Sequence, residues 1–132
     1  LSRVKHPLLM TRGVPGTHDI DLMLNFFKKV KKKNFKTFYV PKFNKAIDDR
    51  YSKSLWIKIK SKPDIVIFEG WCVGAKPQTN TELEKPINSL EKAHDQNAMW
   101  RLYVNKQLKT KYKSLFKQLD GLIYLKAKNL NT

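Results

Sequence analysis

Apolar residues recur at three- and four-residue spacing from Asp19 to about Lys33, through Ile20, Met23, Leu24, Phe27 and Val30. This period predicts an amphipathic helix, with Asp19 and Asp21 at its positive end and lysines at its negative end. A longer stretch with the same period runs from about Asn97 to Leu119. Trp100, Val104, Leu108, Tyr112, Leu115 and Leu119 line one face there, predicting a long helix whose aromatic stripe is core. Between and beyond these lie short β-type runs. Phe38-Tyr39-Val40 is stopped by Pro41, and Leu55 to Ile59 reads as an edge ribbon. Ile65-Val66-Ile67-Phe68, bounded by Pro63 and Gly70, is continuous and mostly β-branched, which predicts a central parallel strand covered on both faces. Leu122 to Leu125, after Gly121, predicts a further strand.

Strands alternating with helices imply an α/β domain with a mostly parallel sheet. The connections carry the turn-forming residues. Residues 1–18 read as a structured loop in which Thr17 caps the first helix, 41–63 as a polar connection, and 75–95 as irregular. No internal repeat is present. At 132 residues the chain is at most one domain, long enough for a core but short for a complete α/β enzyme. It opens on Leu1 without a helix or strand signal, so coding sequence upstream is expected.

Composition sharpens the choice of partners. Twenty-seven Lys and Arg against 11 Asp and Glu give a formal charge of +16, which attracts phosphates, nucleic acid or anionic metabolites. Base-reading surfaces lean on arginine, whereas this chain has arginine only at positions 3, 12, 50 and 101, so dedicated nucleic-acid binding is the minority reading. Cys72 is the single cysteine and reads as a small hydrophobe. No intrachain disulfide can form, and a cytoplasmic setting is expected. The three histidines are isolated from one another, leaving no zinc spacing. No apolar run approaches membrane-spanning length, so no membrane partner is expected.

Candidate chemistry gathers at the loops. In open α/β sheets ligands bind beyond the carboxyl ends of strands, which places Glu69 at the mouth of a site. Arg12 with His18-Asp19, then Lys42 with Arg50, then Glu69 followed by Trp71, occupy loop or strand-end positions in succession. Trp71 reads either as a pocket wall or as packing beside the strand.

These residues carry a resemblance. The runs Arg12-Gly13-Val14-Pro15-Gly16-Thr17-His18-Asp19, Pro41-Lys42-Phe43-Asn44-Lys45 with Asp49-Arg50, and Phe68-Glu69-Gly70-Trp71-Cys72-Val73-Gly74 resemble the glycerate 3-kinase group of P-loop kinases, relatives of uridine kinase and phosphoribulokinase. Ile87-Asn88-Ser89-Leu90-Glu91 and Trp100-Arg101-Leu102-Tyr103-Val104-Asn105 look like later segments of the same group. The resemblance implies a three-layer α/β/α fold with a mostly parallel sheet, of which 1–132 is a single partial kinase domain. It implies ATP and Mg²⁺ as cofactors and a small hydroxy acid, most of all glycerate, as phosphoryl acceptor.

Phosphoryl transfer to a hydroxyl needs a proton acceptor, a magnesium ion on the phosphates, and cations that spread the developing charge. The resemblance makes Asp19 the base and gives Glu69 to magnesium or substrate orientation. Arg12, His18 and Arg50 match acceptor-site residues, guanidinium suiting a carboxylate; Lys42 adds a point charge, and Trp71 walls the pocket. Thr17 and Gly16 shape a turn whose N–H groups can meet an anion.

Two departures stand out. Asn44 replaces the group's usual aspartate, losing a charge while keeping an acceptor. No G-x-x-x-x-G-K-[ST] loop occurs, Gly13-Val14-Pro15-Gly16 not being one, so the chain as given is expected to bind nucleotide poorly and turn over negligibly. Other acceptors (a nucleoside, a sugar or pantothenate), a degenerate kinase, and a basic nucleic-acid-binding module are the competing expectations.

Overall fold

The computed structural model describes residues 6–126, which divide into two compact units: one drawn from residues 6–20 and 70–126, the other Asp21–Glu69.

The second unit is built on helix α1 (Ile20–Val30), which begins at the end of the first. The three- and four-residue spacing does what it predicts: Ile20, Phe27 and Val30 are buried, with Asp21 in the first turn and Lys28 and Lys29 in the last. Phe26, Phe27, Phe35, Phe38 and Phe68 form a chain of ring contacts at 5.5–5.9 Å between centroids, mostly edge-to-face. Strand β1 (Phe38–Val40) pairs antiparallel with β4 (Ile57–Ile59), setting Tyr39 opposite Lys58, whose ammonium lies 5.9 Å from the ring. Between them β2 (Phe43–Asn44) and β3 (Asp49–Arg50) form a small hairpin, Phe43 facing Arg50 and Asn44 facing Asp49. Asp48 enters its turn at φ 48°.

In the first unit the long helix is present but composite. Helix α4 (Met99–Gln107) widens into a π-helical stretch, Leu108–Tyr112, and continues as α5 (Lys113–Phe116). Leu108, Tyr112 and Leu115 are buried with Leu83 and Leu9, as the predicted stripe requires. The stripe also holds buried polar residues. Arg101 sends Nε to the Leu83 carbonyl at 3.2 Å and Nη1 to the Asp95 carbonyl at 2.9 Å; Asn105 closes a two-way amide bridge with the backbone of Gln78 at 2.8 and 3.0 Å.

The segment 75–95, expected to be irregular, contains two short helices. For α2 (Asn80–Glu84), Thr79 and Glu82 form a reciprocal capping box; for α3 (Ser89–His94), the Asn88 side chain accepts from the Glu91 N–H at 2.9 Å. The bonds from Thr79 hold the exposed Glu82 carboxyl below its ordinary range.

Two predicted strands do not form. Residues 65–68 lie outside any regular element, with Ile65 80% and Ile67 88% exposed, and 122–125 are likewise irregular and exposed. An apolar β-branched run becomes a central strand only if neighbours complete its ladder and cover its faces. Among the described residues none does so for either run. The strands that are described make two two-stranded antiparallel sheets, so the mostly parallel sheet is not formed by residues 6–126. The chain is an assembly of helices and small sheets.

Candidate functional site

Residues 12–19 form a tight loop laced by Thr17. Its hydroxyl accepts from the Gly13 N–H at 2.9 Å and donates to the Val14 carbonyl at 2.7 Å, while its own N–H reaches Val14 at 3.1 Å. Thr17 therefore serves the loop instead of capping α1 as expected; the Ile20 N–H bonds to the His18 carbonyl. Gly16 sits at φ 103°, where a side chain is strained, and a Cβ there would meet Tyr103 Cε1 at 2.5 Å. Glycine is required twice over, by conformation and by the aromatic ring laid against it.

The loop is anchored from the far end of the sequence. The Tyr112 hydroxyl accepts from the Gly16 N–H at 3.0 Å and lies 2.6 Å from His18 Nδ1; the Tyr103 hydroxyl donates to the Gly16 carbonyl at 3.3 Å. Tyr112 is 2% exposed, and burial chiefly pushes its phenol up to about 12. His18 moves the other way: burial first, then the nearby positive charge of Arg12, hold it below its ordinary value, so the imidazole is neutral at physiological pH. Burial also raises the Cys72 thiol, in keeping with a small hydrophobe and not a nucleophile.

One loop thus brings together Arg12, Thr17, His18 and Asp19, with Arg12 and Asp19 exposed and His18 half-buried. Trp71, in the same unit, is 75% exposed. Lys42, Asn44, Arg50 and Glu69 belong to the other unit. Lys42, Asn44 and Arg50 share the β2–β3 hairpin: the Lys42 carbonyl accepts from Tyr51 at 2.9 Å, its ammonium lies 5.2 Å from the Tyr51 ring, and Asn44 Oδ1 accepts from the Ala46 N–H at 3.0 Å. Asn44 thereby closes the hairpin turn, a task aspartate would do equally well. Glu69 is exposed and follows the run that makes no strand. No group of three His, Cys, Asp or Glu side chains among the described residues is placed to hold a metal ion. A magnesium site of one carboxylate plus substrate phosphates does not call for such a group.

In the sequence Tyr112 was legible only as a core aromatic, and Tyr103 only as part of the run 100–105. Their hydroxyl contacts with a loop some 90 residues earlier leave no trace in local spacing. No helix among the described residues is long and apolar enough to cross a membrane.

The chain is 30% identical over 131 residues to a Schizosaccharomyces pombe protein named uncharacterized kinase mug58, covering 96% of the chain and 46% of that protein. It is 29% identical over 137 residues to the chloroplastic D-glycerate 3-kinase of Arabidopsis thaliana, covering 96% of the chain and 27% of that protein. It therefore spans less than half the length of either. No protein-family model and no solved structure matches it. The resemblance carried by the loop, hairpin and Glu69 runs extends along nearly the whole sequence, and over that length the chain is similar to two proteins named as kinases, one of them a D-glycerate 3-kinase.

Proposed function

We propose that the gene product containing this chain is an ATP-dependent kinase that transfers the γ-phosphoryl group to a hydroxyl of a small hydroxy acid, glycerate first among them. One observation carries the reading: similarity over 96% of the chain to two proteins named as kinases, one of them a D-glycerate 3-kinase. In this reading the complete product has the three-layer α/β/α P-loop fold, and the chain is one partial kinase domain of it.

The roles are those the resemblance implies, each of a kind its side chain can perform. Asp19, an exposed carboxylate at the start of α1, takes the proton of the attacking hydroxyl. Arg12 and Arg50 offer guanidinium groups suited to the acceptor's carboxylate, and Lys42 adds a point charge. His18, neutral, donates a hydrogen bond without adding charge. Asn44 bonds acceptor hydroxyls, the turn held by Thr17 presents N–H groups to an anion, and Trp71 walls the pocket. Glu69 is the residue that would hold magnesium, which when bound neutralises charge on the phosphate oxygens.

The test is ADP release by the complete gene product with glycerate, uridine, pantothenate and ribulose 5-phosphate offered separately. A rate that depends on glycerate supports the acceptor, and a rate with another compound moves the assignment to that one. No acceptor-dependent rate overturns the kinase reading.

A second reading, a basic module that binds nucleic acid, rests on the +16 charge and on a cavity of about 600 Å³ lined by Lys29, Lys32, Lys33 and Lys36. Specific affinity that survives physiological salt would favour it; adsorption that salt abolishes would not.

A further inference from the structure

We infer that Tyr112 is a positioning residue for His18, fixing it as the neutral tautomer that carries its proton on Nε2. The inference deepens the reading of His18 as an acceptor-site residue and rests on it for its functional consequence.

The Tyr112 oxygen stands between two loop groups, 3.0 Å from Gly16 N and 2.6 Å from His18 Nδ1. A backbone N–H can only donate, so Gly16 uses the oxygen as acceptor. The hydroxyl's own proton is then left for His18 Nδ1. Were Nδ1 the donor instead, the phenol proton would need a third partner. Among the described residues the Tyr112 hydroxyl has none beyond Gly16 and His18, and at 2% exposure it has little access to solvent. An imidazole that accepts at Nδ1 and remains neutral bears its hydrogen at Nε2. The rings meet edge-to-face, with centroids 6.1 Å apart and planes at 67°, which restricts rotation of the imidazole. The neutral state agrees with the burial of His18 and with its neighbour Arg12.

Tyr112 ends the π-helical stretch Leu108–Tyr112. A π turn admits one more residue than an α turn and changes the direction of the side chains that follow, and such turns concentrate at functional sites. Here the stretch follows Tyr103 and ends on Tyr112, the two residues of α4 and its continuation whose hydroxyls reach the loop. The consequence is a neutral N–H donor of fixed direction, able to meet a hydroxyl or carboxylate oxygen of the acceptor while Arg12 supplies the charge.

The test uses the complete gene product labelled with ¹⁵N-histidine, and acceptor kinetics on the same material. Nitrogen shifts should show His18 protonated at Nε2 and bare at Nδ1 at neutral pH. Tyr112→Phe, which keeps the ring, should admit the other tautomer and raise KM for the acceptor about tenfold, the worth of one well-placed hydrogen bond, with kcat changed less. His18→Gln carries an amide donor that needs no tautomer choice; it should raise KM by itself, and adding Tyr112→Phe to it should raise KM no further. His18 protonated at Nδ1 in the unmodified protein overturns the inference without recourse to any variant. So does a Tyr112→Phe effect equally large with and without His18. Absence of any acceptor-dependent turnover would instead overturn the reading of the site, while the nitrogen shifts would still decide the tautomer.

Discussion

Asp95 and Arg101 are buried together, and the carboxylate of one organises the helix that carries the other. Asp95 accepts the N–H groups of Trp100 and Arg101 at 2.8 and 3.1 Å and faces Arg101 Nη1 at 3.2 Å. This is how α4 starts without a capping residue of its own: Ala98, just before it, sits at φ 57° and offers no side-chain bond. Glu91 stands farther from the same guanidinium, at 3.8 Å, and accepts the Ile87 N–H at 3.0 Å. Removing Asp95 leaves two helix-start N–H groups without their acceptor and the buried guanidinium with only the more distant Glu91, at 3.8 Å, as counter-charge. Asp95→Ala should therefore cost about 3–5 kcal/mol in urea unfolding. A loss under about 1 kcal/mol would show that Glu91 suffices as counter-charge.

Gly16 makes a second, independent prediction. Its φ of 103° and the Tyr103 ring 2.5 Å from where a Cβ would lie act together, so Gly16→Ala should lose about 1–3 kcal/mol. Pairing it with Tyr103→Leu should recover the part due to the clash and leave the part due to backbone strain. Full recovery would mean that strain contributes nothing.

The anchored loop should also show in the pH dependence of stability. The folded-state value of His18 is lowered, so the unfolded chain binds the proton more readily. Its contribution is complete above the ordinary imidazole value near 6.5 and is lost as pH falls below it through the folded value. Tyr112 has the opposite sign: raised from 10.0 to about 12, it contributes fully below pH 10 and loses that contribution as pH rises through 12. Cys72, Tyr103, Gly16 and His18 are the groups that act on it besides burial. Urea midpoints measured from pH 4 to 11 should fall at both ends. His18→Gln should flatten the acid limb, and Tyr112→Phe the alkaline one.

Ile65 and Ile67 in one unit, and Ile123 and Leu125 in the other, are 80–90% exposed. Apolar runs left unpaired favour association. The isolated chain should self-associate at micromolar concentration by light scattering, and Ile67→Lys or Ile123→Lys should each reduce this without shifting the unfolding midpoint by more than about 0.5 kcal/mol. Scattering unchanged by both would place the sticky surface elsewhere.

What the sequence disclosed follows from the range of the interactions concerned. Helix α1 and strand β1 were legible because local spacing alone separates their buried from their exposed side chains. The two short helices were missed although Thr79 with Glu82, and Asn88, are recognisable caps, since five or six residues give too few apolar positions to establish a period. The runs at 65–68 and 122–125 have strand composition, but a strand is a pairing and its partner is not a local property. At the site, Arg12 to Asp19 stood out as a motif. The phenol that orients His18 lies 94 residues away, within a helix whose π turn no spacing announces.

Conversion of glycerate to phosphoglycerate by the complete gene product, followed by ³¹P NMR with MgATP, tests the central claim most directly, run beside Asp19→Asn. The product resonance should grow with the unmodified protein, and its rate should drop at least a hundredfold in the variant, as the loss of a general base requires. Equal rates for the two would contradict the role of Asp19, and no phosphorylated acceptor from the unmodified protein would contradict the assignment to glycerate.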